Sequence, residues 1–256
     1  MGYTLRRLFV FSPEAFERDV VKRRPEFRYL YYVGLGFWSG MRNHAARKVE
    51  ALTARLDPMH RFLCFDGYGF KVAFFDHPKD ESALRLLDAF GGYARSAAYQ
   101  GVGRAFWFRF MDDPERFVAQ GRSLGENAAD VAAGAGLAAV FVNPDRFEFA
   151  QTWASKMPAE WQSPFHLGMC FALKARSIND LDQFEVDVAR LPGAVQGAVW
   201  ASIRECDRVE LLVRSEKRPD GYREWRSRVA RWMDEHIEYP IRAVRSTADR
   251  MGELRR

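Results

Sequence analysis

The apolar residues of the chain recur with helical spacing in short segments, which are separated by stretches that contain polar residues, proline or glycine. In the segment ARKVEALTARL the apolar side chains of Val49, Leu52 and Leu56 lie three or four residues apart, with charged residues between them. At 3.6 residues per turn this spacing places the apolar side chains on one face of an α-helix. The segment PERFVAQGRSL has the same pattern, so both segments predict amphipathic helices rather than strands.

A second kind of segment is apolar on most sides and contains two glycines. In YARSAAYQGVGRAFWFRF these are Gly101 and Gly103. A phosphate-binding loop is not indicated, because the segment lacks a third glycine at the dinucleotide-binding spacing, a GKS or GKT sequence and a preceding strand. A glycine within a helix costs ~1 kcal/mol relative to alanine, and residues i and i+2 point about 200° apart. The pair therefore predicts a buried helix that neighbouring helices approach closely from opposite sides.

The segments that contain glycine repeat along the chain. Aligned on the second glycine of each pair, five segments follow one another at intervals of 33, 34, 33 and 32 residues, and a degraded sixth copy lies around Gly197. A constant period of this length is the sequence signature of a repeat architecture. The aligned glycines, which we predict to be structural, are Gly36, Gly69, Gly103, Gly136 and Gly168.

Helix breakers repeat with the same period. A proline or glycine lies 22 residues after each of the first four aligned glycines and 24 residues after the fifth. Between glycine and breaker lie Asp, Asn or Pro residues of the kind that begin helices. Each unit therefore predicts a buried helix A, a cap, an amphipathic helix B and a breaker. We expect an all-α helical-repeat solenoid of about five to six helix pairs, similar to the tetratricopeptide class in geometry.

The chain is predicted to form one structural domain with three consecutive parts. Residues 1–26 form a basic N-terminal segment, residues 27–204 the helical-repeat domain, and residues 205–256 the C-terminal capping helices and tail. In the last part the apolar residues that begin at Trp225 recur at helical spacing, and we expect the capping helix to be broken near Pro240.

The charged residues of the chain limit the kinds of partner that we expect it to bind. The 39 basic and 34 acidic residues give a net charge of only +5, which does not indicate a nucleic-acid-binding protein. The basic residues concentrate towards the two ends of the chain, where they could contact an anionic membrane surface or a protein partner. Ordinary solvated arginines remain the alternative.

The cysteines and the hydropathy of the chain indicate the cellular compartment in which we expect the protein. The 3 cysteines lie far apart and form no CxxC motif, so we expect them to be reduced. No segment reaches the ~18 uncharged apolar residues of a membrane span, and the first residues lack the apolar core of a signal peptide. We therefore expect a cytoplasmic protein, with peripheral association at a membrane as an alternative.

Polar residues that interrupt the repeat are the candidates for function, because equivalent positions in the other units serve as internal controls. Asp66 and Gln100 lie three residues before their glycines, where the other three units carry apolar residues. Arg104 directly follows its glycine, where the other four units carry apolar residues. With further polar residues near the glycines, the candidate ligand-binding residues are Asp66, Tyr68, Lys71, Gln100, Arg104 and His166.

Two interpretations of the polar residues remain open. An unpaired buried charge costs several kcal/mol, so Asp66 and Arg104 are expected to form an ion pair between successive A helices, with Gln100 and Tyr68 nearby. Alternatively, these residues line a pocket and orient a ligand. This pocket would lie on the concave face of the repeat.

Motifs for catalysis or metal binding are not found in the sequence. His60 and Cys64 are four residues apart and could share a helix face, but no third ligand with matching spacing accompanies them. Neither GxSxG nor HExxH occurs. We therefore predict no metal and no cofactor, and the catalytic residues remain unknown.

Several motifs resemble those of an uncharacterised bacterial family whose members often lie in enediyne polyketide biosynthetic gene clusters. The resemblance covers about residues 5–235 and implies a role in specialised-metabolite assembly without a settled reaction. Family members tend to carry His, Glu, Gly, Tyr and Phe after DGYGF, whereas this chain has KVAFF at 71–75 and resembles a shortened member. The motifs are LRRLFVFSPEAF, YLYYVGLGFW, LDPMHRFLCFDGYGF, QGVGRAFWF and FALKAR.

Three hypotheses for function follow, of which we favour the first. The protein could bind a polyketide-like apolar intermediate or scaffold pathway enzymes, with aromatic residues at its groove. It could be a cofactor-independent enzyme that uses Asp66, Tyr68, Lys71 and Arg104, or an interaction module that binds a protein or an anionic surface through its basic ends. The aromatic residues considered for the groove are Phe37, Trp38, Phe70, Phe106 and Trp107.

Overall fold

A computed structural model describes residues 12–236, and within this range the chain forms helices and turns without any β-strand. The all-α prediction is confirmed. We number the α-helices in chain order. They are α1 (Pro13–Phe16), α2 (Arg28–Met41), α3 (Ala46–Thr53), α4 (Leu63–Lys71), α5 (Tyr93–Phe110), α6 (Pro114–Arg122), α7 (Ala128–Val142), α8 (Phe147–Lys156), α9 (Ala159–Asn179), α10 (Leu181–Ala189), α11 (Gly193–Ser215) and α12 (Gly221–His236).

Other helical geometries extend or connect these elements. Helix α1 continues into a π-helical turn at Glu17–Val21, and α4 continues into another at Val72–Asp76. Short 3₁₀ helices lie at Pro25–Phe27, Glu81–Ala89 and Gly125–Asn127.

The helices that carry the glycine segments pack in a row. These A helices are α2, α4, α5, α7, α9 and α11, and each packs against the next one along the chain. Gly101 and Gly103 lie in the middle of α5, so the stretch around them is a helix and not a phosphate-binding loop.

Glycine allows the backbones of successive A helices to touch. A Cβ atom at Gly103 would overlap the carbonyl oxygen of Val131 on the following helix, α7. A Cβ atom at Gly101 would overlap the carbonyl oxygen of Asp66 on the preceding helix, α4. The two glycines of a pair therefore face opposite neighbours, as the sequence predicts. The same division holds for Gly67 and Gly69 on α4 and for Gly134 and Gly136 on α7.

The fifth unit is shifted by two residues from the predicted alignment. Gly168 on α9 faces the preceding helix at Ala133, as Gly67, Gly101 and Gly134 face theirs. The position of the second glycine is therefore occupied by Cys170, and the residue that corresponds to Arg104 is Phe171 rather than Met169. The proposed sixth copy is also corrected, because a Cβ atom at Gly197 would meet no atom within 4 Å. Gly197 does not form a close helix contact.

Four of the five B segments form short α-helices, namely α3, α6, α8 and α10, and two of these helices have the expected side-chain cap. The side chains of Asp113 and Asp180 accept hydrogen bonds from backbone N–H groups in the first turns of α6 and α10. The B segment of the second unit instead forms the 3₁₀ helix Glu81–Ala89. Its buried residues Leu84 and Leu87 are three positions apart, a spacing that aligns side chains in a helix with three residues per turn.

The two ends of the row of A helices meet. Helix α9 contacts the segment Pro25–Phe27 that leads into α2. The backbone N–H of Tyr222 at the start of α12 donates a 3.1 Å hydrogen bond to the carbonyl oxygen of Pro58 in the first unit. Arg214 on α11 forms a 3.2 Å ion pair with Asp57 of the same unit. The first unit therefore packs against the last elements of the chain as well as against its sequence neighbour.

Some sequence-based boundaries fall within a helix or lie outside the described range. The predicted boundary between residues 204 and 205 falls within α11, which is continuous over Gly193–Ser215. The arginines at the start of the predicted basic segment and the predicted break near Pro240 lie outside residues 12–236. In the part of the chain that the structure covers, no helix combines the length and the hydropathy needed to cross a membrane.

Candidate functional site

The first five A helices, α2, α4, α5, α7 and α9, together with α12, line a cavity of about 50 Å³ that is partly open to solvent. Its wall is formed mainly by apolar and aromatic side chains. Five side chains in the wall carry polar groups, namely the phenols of Tyr29 and Tyr222, the indole of Trp225, the carboxylate of Asp66 and the guanidinium of Arg104. The cavity therefore combines an apolar surface with one charged pair.

The repeat places the cavity residues on one face of the row. Val33 and Asp66 occupy equivalent positions in the first two units, three residues before the second glycine. Arg104, Leu137 and Phe171 occupy the position that follows the second glycine, once the two-residue shift of α9 is included. The cavity thus lies on the inner side of the A helices.

Asp66 and Arg104 form a salt bridge between the successive helices α4 and α5. An Nη1 hydrogen of Arg104 is donated to Oδ1 of Asp66. Gln100 donates a 2.8 Å hydrogen bond from Nε2 to the other carboxylate oxygen, Oδ2. The two interpretations of this pair are therefore compatible, because the ion pair forms and its members also line the cavity.

The two members of the pair differ in exposure. The side chain of Asp66 is 1% exposed and that of Arg104 is 17% exposed. The guanidinium of Arg104 also lies over the ring of Phe70, 5.1 Å from its centroid. A molecule that enters the cavity would consequently meet the N–H groups of Arg104 rather than the carboxylate of Asp66.

Helix α12 covers one side of the cavity with aromatic residues. The ring centroids of Trp225 and Phe171 are 4.7 Å apart in an edge-to-face arrangement, and the indole Nε1 of Trp225 donates a 2.8 Å hydrogen bond to the carbonyl oxygen of Cys206. Burial raises the pKa of the Tyr222 hydroxyl, which therefore stays protonated at neutral pH. Arg226 is buried behind this wall, 4.9 Å from the ring centroid of Phe171.

The remaining candidate residues lie away from the cavity wall. The hydroxyl of Tyr68 donates a 3.0 Å hydrogen bond to the carbonyl oxygen of His44. Lys71 forms a 2.8 Å ion pair with Asp76. Tyr68 and Lys71 therefore bind partners other than the Asp66–Arg104 pair. Tyr68 and Lys71 follow Asp66 by two and five residues, which at 3.6 residues per turn places them about 200° and 140° around the helix from Asp66, so they face other neighbours.

His166 lines a separate cavity of about 20 Å³ between α8, α9, α11 and α12. Its Nε2 atom is 3.3 Å from Oε1 of Gln151, and burial lowers its pKa to about 4. His166 is therefore neutral at physiological pH. Because it lies in a different cavity, it does not join Asp66 and Arg104 in one site.

The aromatic candidates divide between core and surface. Phe106 and Trp107 are fully buried, so they belong to the core. Trp38 packs edge-to-face against His44, with ring centroids 5.3 Å apart. Phe37 and Phe70 are half-buried and lie 6.4 Å apart between ring centroids.

Three exposed phenylalanines that the sequence did not single out extend this group. Phe74 stacks on Phe70 at 5.3 Å, Phe108 lies 6.2 Å from Phe70, and Phe75 lies 5.8 Å from Phe37. Phe74 and Phe108 occupy the same position of the repeat, five residues after the second glycine, and this register could have identified them. We call Phe37, Phe70, Phe74, Phe75 and Phe108 the aromatic surface.

The region around His60 does not form a metal site. The Nδ1 atom of His60 is 3.0 Å from Oδ2 of Asp57, and its Nε2 atom faces Arg214 at 3.4 Å. Cys64 is buried against Gly36 of the preceding A helix. Residues 12–236 contain no group of three or more potential ligands that could hold a metal ion.

The sequence was compared with family models, curated proteins and solved structures. The model of the family described as "Protein of unknown function (DUF1702)" matches residues 1–233. No curated protein and no solved structure matched. The family match includes the A helices, the Asp66–Arg104 pair and nearly all of α12. The chain therefore belongs to the DUF1702 family.

Proposed function

We propose that the protein binds a slender apolar molecule in the cavity between the A helices and α12. The observation that carries this proposal is a wall of aliphatic and aromatic side chains that is partly open to solvent. Apolar surface removed from water contributes about 25 cal/mol per Å², so an apolar ligand that covers this wall gains affinity. Concave apolar pockets with a few polar groups are typical of small-molecule sites.

The small volume of the cavity favours a linear chain over a ring system as the ligand. Its volume of about 50 Å³ is well below the roughly 150 Å³ of an engineered cavity that admits benzene. A linear hydrocarbon segment fits such a space better than fused rings do. The rest of a longer chain would lie along the aromatic surface, which is adjacent to the cavity because Arg104 lies over Phe70.

A polyene or polyketide chain meets this description. Together with the resemblance of motifs such as DGYGF, the cavity supports an accessory role in specialised-metabolite biosynthesis of the enediyne type. We further propose that the row of A helices is a modified helical-repeat solenoid of tetratricopeptide-like period, which presents its inner face to the ligand. A scaffolding role would use the outer helices of the same repeat.

The enzyme hypothesis is the weaker proposal. Of its four candidate residues only Asp66 and Arg104 line the cavity, while Tyr68 and Lys71 bind other partners. The interaction-module hypothesis depends on basic residues at the ends of the chain, and many of these lie outside the described residues. The cavity gives the binding hypothesis the more specific support.

A polyene fluorescence titration tests the proposed binding. The methyl ester of cis-parinaric acid is a thin, neutral, apolar probe, and we expect it to bind saturably. Leu137→Trp should fill the cavity and weaken binding at least tenfold, because Leu137 lines the wall. Leu211→Trp is the matched control, since Leu211 is 70% exposed on α11, and it should bind like the unmodified protein. Absence of saturable binding, or an equal effect of the two substitutions, would contradict the proposal.

A further inference from the structure

The Asp66–Arg104 pair presents hydrogen-bond donors to the cavity. Both carboxylate oxygens of Asp66 already accept hydrogen bonds, one from Arg104 and one from Gln100. Arg104 is the more exposed member, and within residues 12–236 the carboxylate of Asp66 is the acceptor that its guanidinium contacts. A guanidinium has five N–H donors and no acceptor. The remaining N–H groups of Arg104 can therefore bind an oxygen atom of a ligand.

Helix packing does not require a charge at this position. The equivalent residues Phe70 and Leu137 are apolar, and the helices α4 and α7 that carry them pack through the same backbone contacts as α5. Replacing a buried ion pair by apolar residues of similar volume is often neutral or stabilising. A charged pair in the wall of an otherwise apolar cavity is consequently better explained by recognition of a polar ligand group than by stability.

We infer that Arg104 binds the acyl oxygen of the ligand, so that the ligand is an acyl chain and not a plain hydrocarbon. This inference rests on the proposed function and identifies the substrate class of the same site. The oxygen belongs to a carboxylate or to the carbonyl of an ester or thioester, both of which accept hydrogen bonds from a guanidinium. Asp66 balances the charge of Arg104, which allows a neutral carbonyl to bind without leaving an unpaired charge in the cavity.

Two apolar surfaces are available to the hydrocarbon part of the ligand. Leu137 and Phe171 line the cavity together with Arg104, and the guanidinium of Arg104 also lies over Phe70 of the aromatic surface. An acyl chain held at Arg104 would place its apolar part against one of these two surfaces. Its acyl oxygen would satisfy the donors that face the cavity.

Three probes with the same polyene chain test the inference, namely cis-parinaric acid, its methyl ester and the corresponding octadecatetraene hydrocarbon. Hydrogen bonds to charged groups predict that the acid or the ester binds on the order of tenfold to hundredfold more tightly than the hydrocarbon. The acid and ester arms distinguish a free carboxylate from an esterified acyl group. Equal affinity for all three probes would overturn the assignment to Arg104 but leave the proposed apolar binding intact. If none of the probes binds, both proposals are overturned.

The double substitution Asp66→Leu and Arg104→Leu makes these two positions apolar, as they are in other units, without leaving one charge unpaired. We expect this variant to bind the hydrocarbon at least as well as the unmodified protein and to lose its preference for the acyl probes. The matched control is Lys71→Met with Asp76→Asn, which removes an ion pair outside the cavity wall and should keep the preference. An acyl preference that persists in the double leucine variant would overturn the inference. Binding of the hydrocarbon shows that each variant is folded. The single variant Arg104→Lys keeps a charged hydrogen-bond donor beside Asp66 and should retain part of the preference for the acyl probes.

Discussion

Gly103 on α5 makes one of the closest backbone contacts in the fold. A Cβ atom at this position would overlap the backbone of Val131 on α7, and a backbone cannot move aside as a flexible side chain can. We therefore expect Gly103→Ala to lower the free energy of unfolding by about 3 kcal/mol, the upper range for overpacked cores. Urea denaturation followed by circular dichroism measures this change.

Gly197 on α11 provides the control for that substitution. It also lies within a long helix, but a Cβ atom there would meet no atom within 4 Å. Gly197→Ala should therefore raise stability by up to ~1 kcal/mol, the difference in helix propensity between glycine and alanine. Similar effects of the two substitutions would contradict the close-packing explanation.

His166 should make stability depend on pH. Burial lowers its folded-state pKa to about 4, whereas an unfolded histidine titrates near 6.5. As the pH falls, the unfolded chain binds the proton first, so stability is complete above about pH 6.5 and decreases progressively towards pH 4. The loss should reach roughly 3 kcal/mol over this window, as measured by urea denaturation at a series of pH values.

Comparison with His166→Gln isolates the histidine from other groups that titrate in the same window. One such group is Asp130, whose pKa is raised by burial to about 6 and whose effect on stability has the opposite sign. The unmodified protein and the His166→Gln variant should therefore differ in stability by an amount that shrinks as the pH falls. A difference that is constant between pH 4 and pH 7 would show that His166 titrates normally in the folded state.

At the scale of the elements, α12 covers the cavity and binds the repeat through Trp225. This side chain is 1% exposed, and its ring packs against Phe171. We expect Trp225→Ala to destabilise the protein by about 3 to 5 kcal/mol and to enlarge the cavity. Differential scanning calorimetry measures the loss as a lower Tm.

The enlarged cavity of Trp225→Ala offers a second measurement. A ligand that binds only the folded state raises its stability by mass action, so an apolar compound too wide for the original cavity should raise the Tm of the variant more than that of the unmodified protein. Trp232→Ala is the control, because Trp232 lies on the same helix, is only partly buried and is absent from the cavity wall. If both variants responded equally to the compound, Trp225 would not limit the size of the cavity.

Helix α4 shows how one unit departs from the repeat. Its end widens into the π-helical turn Val72–Asp76, directly after the DGYGF motif. Lys71 bonds Asp76 five residues later, a separation that matches the hydrogen-bond period of a π-helix. The turn carries Phe74 and Phe75 to the protein surface, and it thereby supplies two members of the aromatic surface.

At the scale of the whole molecule, contact between the first unit and the last elements should make unfolding cooperative. In an open solenoid each unit contacts only its neighbours, so that the ends can unfold separately. Here Arg214 on α11 contacts Asp57 of the first unit. Native-state hydrogen exchange should therefore give the amides of α2 and α11 the same opening free energy as those of α5. Exchange of α2 or α11 at clearly lower denaturant concentration would contradict this expectation.

The sequence predicted those features that depend on local spacing. The period of the glycines identified the A helices, the Asp residues identified caps such as Asp113, and the comparison of equivalent positions identified Asp66 and Arg104. A glycine that recurs at a fixed interval in buried helices indicates the close approach of another backbone, and for this reason the glycines predicted the helix contacts.

Features that depend on helix rotation and on distant contacts could not be predicted in this way. Gly168 corresponds to the first glycine of a pair rather than to the second, and only its contact with Ala133 identifies the neighbour that it faces. Lys71 and His166 are polar residues near glycines, but each lies five residues from a cavity residue of its helix, Asp66 or Phe171, a rotation of about 140° that directs it away from the cavity. The placement of Trp225 in the cavity wall depends on how α12 returns to the first unit, and no repeat spacing records that path.

The contact between the first unit and the last elements also limits how this architecture can change in evolution. Repeat proteins commonly gain or lose whole units by tandem duplication or deletion, because an open row tolerates any number of them. Here an inserted unit would separate Asp57 from Arg214, and it would also move α12 away from the residues that it covers. Changes in length should therefore be accommodated at the chain ends and in the turns between helices, while the number of A helices stays constant.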